Sequence, residues 1–410
     1  MKDLPVTRTL ALICTILALP AGAETRPVAR PIVADSAGLQ GWIAEFRTRA
    51  LAAGITAQTY DSAMPGLRFD PKVVERDRNQ SEFTKTIWDY LGTAVSDLRV
   101  SNGKAALARQ RDTLKRIEAE YNVPAEIVTA IWGLESAYGT FRGSDPVLRS
   151  MASLAYDARR AAFFEGQVIA ALRILQDGDT TLANLEGSWA GAMGHTQFMP
   201  TSFIEHAVDW TGDGRRDIWG DDPRDALAST AAYLRANGWV AGQPWGVEVR
   251  IPEGFDYLLA NREVLKAPSE WAALGVRDTT GASVPDHGSA SILLPAGAEG
   301  AAFMVFDNFE VLESYNTADA YVIAVGHLAD RIAGSEPLEG AWPRQDRALT
   351  YDERIDLQKR LTAAGFDTQK IDAKIGPLTV NAVRGWQLSK GLVPDGYASP
   401  RLLERLRADP

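Results

Sequence analysis

The most informative part of the chain is the stretch VPAEIVTAIWGLESAYG, which runs from Val123 to Gly139. Pro124 suits a first helical turn and Gly139 suits a helix exit, so the stretch predicts a helix over 124–139. At about 100° per residue, Glu135 lies about 80° from Ile127, between apolar neighbours. This carboxylate therefore lies in the apolar arc of the helix. The arc is formed by Ile127, Val128, Ile131, Leu134 and Tyr138.

A glutamate in an apolar arc has two interpretations. Glu135 can form a buried structural ion pair or a hydrogen bond at the helix end. Alternatively, desolvation raises its pKa and leaves a carboxylic acid that donates a proton near neutral pH. Glycosidic cleavage needs such an acid, because the leaving oxygen must be protonated as the bond breaks. Nearby residues favour the second interpretation: Gly133 permits close approach, Ser136 can form hydrogen bonds and Tyr138 can offer a sugar-stacking face.

A second stretch, Gly187–Phe203, combines small residues with two methionines and a glutamine. Ser188 and Gln197 offer hydrogen bonds to hydroxyl and acetamido groups. The alternative is simple packing, with Met193 filling a gap. His195 is one of four histidines, and none is paired with another at metal-ligand spacing, so we interpret it as a wall residue.

Composition limits the class of protein. The 410 residues carry a net charge of −10, with 46% hydrophobic and 23% charged residues, which is typical of a globular protein of two or three domains. The acidic balance argues against binding to nucleic acid through phosphate neutralisation. The chain has one cysteine, Cys14, so neither an internal disulfide nor a cysteine-ligated zinc site can form.

The amino terminus has the pattern of an export signal. Residues 1–23 have a basic start, a short apolar run from Leu10 to Leu19 and a small-residue cleavage site at 21–23. The alternative is a helix of the fold itself. Ile13 before Cys14 disfavours lipidation. Cleavage after Ala23 predicts a cysteine-free periplasmic protein without a transmembrane anchor.

The remaining chain predicts a mainly α protein. Residues 36–335 are expected to form one large helical domain, 336–348 a linker and 349–408 a small three-helix domain. Strands are expected at Val247–Ile251 and Phe303–Phe306. Beyond 124–139, helices are expected at 81–98, 103–121, 159–176, 225–237 and 318–333.

An acidic loop follows the second stretch. Asp209, Thr211, Asp213 and Asp217 place oxygens at positions 1, 3, 5 and 9 of an EF-hand-like loop, and Arg215 places a carbonyl at position 7. The twelfth position is Gly220, so Asp221, Asp222 or Asp225 would have to close the site. The alternative is an Asp-Gly turn with solvated carboxylates. The loop is thus a candidate structural calcium site.

Several ordered motifs together resemble the lytic murein transglycosylases of the membrane-bound B type. The resemblance covers residues 36–335. Its motifs are Trp132–Gly139, Ala190–Pro200, Ala207–Trp219, Ala226–Ser229 with Tyr233-Leu234 and Gly238-Trp239, and Tyr315-Asn316. Where relatives often have an aromatic residue and a glycine, this chain has His195 and Thr196.

This resemblance implies a lysozyme-like catalytic domain that cleaves the MurNAc–GlcNAc β-1,4 bond of peptidoglycan and leaves a 1,6-anhydro-MurNAc end. It makes Glu135 the single catalytic acid/base, without a required cofactor. Family members bind calcium at the acidic loop. The residues expected to contact the glycan strand, from the local sequence and the resemblance together, are Ser136, Tyr138, Ser188, Met193, Gln197, Tyr233, Tyr315 and Asn316.

A single carboxylate has a mechanistic consequence, since a hydrolase needs a second one as nucleophile or base. The family mechanism implies that the 2-acetamido group, and then the C6 hydroxyl, attacks C1 of the sugar. Tethering of that hydroxyl favours the step. Two alternatives remain: a hydrolysing muramidase on the same fold, and a non-catalytic wall-binding protein. The chain is expected to act as a monomer on peptidoglycan glycan strands.

Residues 351–406 resemble the small peptidoglycan-binding domain of type 1. The match rests on Asp372-x-x-Ile375-Gly376-Pro377-x-Thr379 and on Gly391-Leu392-x-x-Asp395-Gly396. The resemblance implies that the module holds the enzyme on the wall and raises the effective substrate concentration. The alternative is a stabilising appendage.

Overall fold

A computed structural model describes residues 36–78 and 85–409. The predicted export signal, Cys14 and the leader up to residue 35 lie outside the described residues. Within the described ranges, no helix combines the length and the apolarity needed to cross a bilayer.

Helices dominate the described chain, and the predicted mainly α class is confirmed. Their ends follow ordinary capping chemistry, as where Thr56, Thr86 and Ser96 accept backbone N–H groups at helix starts. The helices are α1 Ser36–Ala52, α2 Ala57–Ala63, α3 Pro71–Arg78, α4 Ile87–Ala94, α5 Asp97–Arg109, α6 Arg111–Tyr121, α7 Ala125–Ser136, α8 Val147–Tyr156, α9 Ala161–Asp177, α10 Pro200–His206, α11 Arg224–Ala236, α12 Pro268–Ala273, α13 Asp307–Tyr315, α14 Asp319–Ala333, α15 Tyr351–Ala363, α16 Pro377–Ser389 and α17 Pro400–Ala408.

Helix α7 lies at the centre of the larger hydrophobic cluster. It packs against α5, α6, α11 and α14. Ile131 and Val128 are fully buried on it, as the apolar arc predicts. A second cluster gathers α1, α8 and α9 with the Met193–Phe198 segment. Burial of these side chains, at about 25 cal/mol per Å², is the main force that fixes α7 in place.

Two small sheets accompany the helices of residues 36–335. Strands β1 (Asp145–Pro146) and β2 (Glu186–Gly187) pair antiparallel. The second sheet has the order β4-β3-β6-β5, from β3 (Gly246–Arg250), β4 (Arg277–Asp278), β5 (Ser291–Leu293) and β6 (Ala302–Val305). The two expected strands therefore form, as β3 and β6, with Val247 opposite Met304.

Residues 335–348, which the composition predicts to be a linker, contact the preceding part of the chain. The Glu248 carboxylate accepts the backbone N–H groups of Glu339 (3.0 Å) and Gly340 (2.6 Å). Trp342 lies against Trp88, with ring centroids 6.3 Å apart, and Leu338 also packs on the main cluster. We call residues 335–348 the strap. The strap keeps the chain close to β3 before the last three helices begin.

The last three helices enclose their own small core, centred on Trp386 and Leu357. Two buried glutamines explain the motifs of this module. Gln358 accepts the N–H groups of Asp372 and Ala373, while Gln387 donates to Asp395 and accepts from Gly396. The motif residues therefore hold the loops between the helices.

The module contacts the second sheet region through charged side chains. Arg401 pairs with Asp346 of the strap at 2.8 Å and with Glu299 at 3.0 Å. Asp395 accepts the N–H of Ala298 at 2.9 Å, and the guanidinium of Arg384 donates to the carbonyl of Ala260. The two regions thus share polar contacts as well as the strap.

Candidate active site

Glu135 lies in the last turn of α7, with one oxygen facing the phenol of Tyr321. Tyr321 Oη donates to Glu135 Oε1 at 2.5 Å. Burial raises the pKa of Glu135 to about 7, and the hydrogen bond from Tyr321 opposes part of that rise. Half of the Glu135 side chains are therefore protonated near neutral pH. Of the two interpretations, the structure favours the proton donor, because no cation is paired with Glu135 among the described residues.

Tyrosines surround this carboxyl group. Tyr90 of α4, Tyr315 of α13 and Tyr321 of α14 each have a pKa raised first by burial and further by the nearby Glu135. All three phenols therefore stay protonated at neutral pH and can donate hydrogen bonds. Among the described residues, no second carboxylate contributes to the pKa of Glu135. The site thus offers one acid and several neutral donors.

Tyr321 and Tyr90 are the residues that the sequence analysis missed. Tyr321 lies 186 positions from Glu135 along the chain, and no local pattern connects them. The available signal was indirect. Tyr321 comes one turn into the helix that follows the Tyr315-Asn316 motif, so its position next to that motif could have suggested it.

A left-handed turn ends α7 directly after the glutamate. Ala137 and Tyr138 have φ of 49° and 59°, a region that disfavours side chains. Ser136 Oγ donates to the carbonyl of His195 at 2.6 Å and accepts the N–H of Gly139 at 2.9 Å. Tyr138 Oη donates to the carbonyl of Arg99 at 2.8 Å. Ser136 and Tyr138 thus hold the helix end in this structure, and their predicted glycan contacts stay predictions.

The Gly187–Phe198 segment forms the wall facing α7. Met193 is fully buried and forms isolated β-bridges to Gly187 and Phe198. Ser188 Oγ accepts the N–H of Ala192 at 3.1 Å. Gln197, with φ of 55°, donates to the carbonyls of Arg142 and Gly194. Ser188 and Gln197 are therefore held in place on partly exposed backbone, while Met193 supports the wall from inside.

The predicted aromatic residues meet in one cluster. Tyr233 and Tyr315 have ring centroids 5.0 Å apart, and both pack on Phe198 of the wall. Tyr315 Oη donates to the carbonyl of Thr196 at 2.6 Å. Asn316 follows with an exposed side chain. Tyr315 lies near enough to Glu135 for that carboxyl group to raise the pKa of its phenol, and Tyr233 and Asn316 adjoin Tyr315.

The acidic loop satisfies its own carboxylates. Asp209 accepts N–H groups from Gly212, Asp213 and Gly214, and these bonds lower its pKa. Asp217 accepts from Trp219 and Gly220, and Asp213 accepts from Arg215. Thr211 Oγ1 donates to Asp209. Throughout 36–78 and 85–409, no three acidic, cysteine or histidine side chains converge as a metal site requires.

The helical fold, with a glutamate of raised pKa at the end of its central helix, is of the lysozyme-like class of glycan-cleaving enzymes. Residues 38–330 match the transglycosylase SLT domain model, and the chain belongs to this family. Residues 350–406 match the peptidoglycan binding domain model. The predicted family, lytic transglycosylases of the membrane-bound B type, is confirmed.

Known relatives agree with this assignment. The membrane-bound lytic murein transglycosylase B of Escherichia coli is 34% identical over 251 residues, which are 60% of this chain and 66% of the relative. A crystal structure of SltB3 from Pseudomonas aeruginosa with NAG-anhNAM-pentapeptide is 50% identical, with a TM-score of 0.87 over 90% of this chain and 99% of that chain. Slt35 of Escherichia coli in complex with calcium is 29% identical, with a TM-score of 0.62 over 73% and 93% of the two chains.

Ionisation of Glu135 should lower the free energy of unfolding of the protein. The folded pKa of about 7 lies above the ordinary value of 4.5, so the unfolded chain loses this proton first as pH rises. The resulting loss in the free energy of unfolding begins near pH 4.5 and reaches its full size above pH 7. Glu135→Gln should therefore raise the melting temperature above pH 7, by roughly 2–4 °C for each kcal/mol regained, and change it little below pH 4.5.

Differential scanning calorimetry across this pH range measures the effect. Glu118→Gln is the matched control, because it removes an exposed carboxylate from α6. Equal pH dependence for Glu135→Gln and wild type would contradict the raised pKa.

Proposed function

We propose that the protein is a periplasmic lytic transglycosylase that cleaves the MurNAc–GlcNAc β-1,4 bond of peptidoglycan strands and leaves 1,6-anhydro-MurNAc ends. The observation that supports this most strongly is the Glu135 site: a single carboxyl group with a pKa of about 7, facing neutral phenols. The SltB3 complex with an anhydro-sugar peptide supports the same product class for a relative.

In the first step, protonated Glu135 donates its proton to the glycosidic oxygen as the bond to C1 breaks. This requires the acid form, which burial maintains near neutral pH. Tyr321 fixes the carboxyl group through Oε1, which leaves Oε2 for the glycosidic oxygen. Once the proton has left, the same hydrogen bond stabilises the carboxylate.

In the second step, the C6 hydroxyl of the same sugar attacks C1, and Glu135 takes the hydroxyl proton. The C6 oxygen forms the new bond as its proton returns to the carboxylate, so the enzyme is regenerated and no water is consumed. We infer that the 2-acetamido group stabilises C1 between the two steps. Gln197 and Ser188 lie on the facing wall, where they can bind the acetamido and hydroxyl groups. Proximity within one sugar replaces the second carboxylate of a hydrolase.

Product mass separates this proposal from its alternatives. Wild-type enzyme on purified sacculi should release muropeptides one water lighter than the hydrolysis products. Glu135→Gln should remain folded and lose about 10³-fold or more in rate, because the acid that protonates the leaving oxygen is gone. Mass spectrometry of the digests is the measurement.

Glu118→Gln serves again as the folded, active control. Hydrated products would favour the muramidase, absence of any product from wild type would favour the non-catalytic binding protein, and substantial anhydro-product from Glu135→Gln would exclude Glu135 as the acid/base.

We propose that the module, residues 349–408, holds the enzyme on the wall. Its separate core and its match to a peptidoglycan binding domain support a distinct binding unit. The linker at 336–348, which is part of the strap, joins it to the catalytic domain at 36–335. Removal of residues 349–410 leaves the strap contacts of Glu248 and Trp342 in place. This truncation should weaken retention on sacculi in a pull-down assay by about tenfold or more.

Cleavage of short soluble glycan strands should be preserved in the truncated enzyme, because Glu135 and its tyrosines belong to the catalytic domain. A normal melting profile is the control for folding. Unchanged retention on sacculi would assign the module to stabilisation.

We propose that any calcium bound at 209–217 has a structural role only. The loop carboxylates are already held by backbone N–H groups, and none of them contacts Glu135. Calcium at about a hundredfold excess over its dissociation constant should stabilise the fold by about 2.7 kcal/mol and leave the cleavage rate unchanged. Asp209→Ala should abolish that gain. Calorimetry with calcium and with a chelator tests this, and identical melting in both would refute calcium binding.

A further inference from the structure

His195 contacts the catalytic helix on both sides of Glu135. Its Nδ1 lies 3.1 Å from Trp132 Nε1, three residues before the glutamate. Its carbonyl accepts the Ser136 hydroxyl, one residue after it, at 2.6 Å. The side chain is only 3% exposed. One wall residue therefore holds the last turn of α7 at two points that flank the catalytic acid.

The partners of the imidazole determine where its proton lies. An indole N–H can only donate, so Nδ1 must be the acceptor towards Trp132. In a neutral ring the proton is then on Nε2, which lies 2.8 Å from the carbonyl of Gly220, a group that can only accept. Burial, and the nearby Arg142 guanidinium, favour the neutral ring by lowering its pKa.

Arg142 supports the same arrangement from the other side. Its Nη1 donates to the carbonyl of Gly220 at 2.5 Å and lies 3.2 Å from His195 Nε2, so both N–H groups point at one oxygen. Gly139 permits the close approach of the ring, since a Cβ there would lie 2.5 Å from Nδ1. The site is therefore shaped for an imidazole in this orientation.

We propose that His195, as the neutral Nε2–H tautomer, is the positioning residue that fixes Glu135 by bridging Trp132 of the catalytic helix to Gly220 of the acidic loop. Tyr321 holds the carboxyl group from α14, and His195 holds the backbone turn from the facing wall. The two restraints together define the orientation of the acid towards the glycosidic oxygen. This inference rests on the proposed transglycosylase activity for its kinetic consequence, but not for the tautomer.

Three substitutions distinguish the contributions of the two hydrogen bonds that the imidazole ring forms. His195→Leu removes both and leaves the buried Trp132 indole without an acceptor. His195→Asn keeps an acceptor near the Nδ1 position, and His195→Gln keeps a donor near the Nε2 position. Since misplacement by about 1 Å can cost 10²-fold, His195→Leu should lower kcat by at least about tenfold on a soluble NAG-NAM-pentapeptide oligomer, with KM changed less than about twofold.

His195→Asn should recover most of the lost kcat, because it restores the bond to the catalytic helix, and His195→Gln should recover less. Melting curves confirm that each variant is folded. A kcat for His195→Leu within about twofold of wild type, a loss confined to KM, or no rescue by His195→Asn would each overturn the positioning role.

The tautomer is tested on the wild-type enzyme without substrate. Two-bond ¹H–¹⁵N correlation spectra at the assay pH should show a protonated Nε2 and an unprotonated Nδ1 for His195, with His195→Asn used for the assignment. An Nδ1–H tautomer or an imidazolium would overturn the inference. If wild type gave no anhydro-product, the function proposal would fail separately, and the spectra alone would then decide the tautomer.

Discussion

The site depends on one physical constraint, which is the desolvation of a carboxyl group at the end of a buried helix. Helix α7 packs against four neighbouring helices, which fix its position, and burial at its last turn raises the pKa of the partly exposed Glu135. The protein therefore keeps an acid protonated near neutral pH at a cost in stability. Among the described residues, neutral phenols lie near the group and no cation affects its pKa. A nearby cation would lower that pKa and so favour the ionised form.

The parts of the fold that follow local rules could be predicted from the sequence. Helix α7 and its apolar arc agree with the pattern, as do strands β3 and β6, but the helix ends at Ser136, three residues before the predicted exit at Gly139. Local periodicity could not divide the predicted helix at 103–121, which begins earlier and is broken at Gln110 between α5 and α6. The predicted helix at 81–98 is likewise not continuous, because α4 ends at Ala94 and α5 begins at Asp97. Helices α2, α3, α8, α10, α12 and α13 were also missed. Their sequences are stable as helices because of the surfaces they bury.

The sequence predicts those residues of the site that lie in recognisable motifs. Glu135, Gln197 and Tyr315 lie in recognisable stretches, and the structure brings them to one region. Tyr90 could not be found in this way and Tyr321 only by its position next to the Tyr315-Asn316 motif, because the packing of α4 and α14 around α7 brings them near Glu135. His195 was correctly placed in the wall, but its two hydrogen bonds depend on Trp132 and Gly220, which lie 63 and 25 positions away.

The docked strap changes what the wall-binding module can do for catalysis. A flexible linker would let the module take many positions relative to the catalytic domain. The gain in local substrate concentration would then depend on the distribution of end-to-end distances of the linker. Here the strap is fixed before the module begins, by its hydrogen bonds to Glu248 and by the contact of Trp342 with Trp88. Arg401 joins the module to Asp346 of the strap and to Glu299. Under the wall-binding role proposed for the module, the protein would set the span between the bound glycan and the scissile bond, and the strand would present only those bonds that lie one such span away.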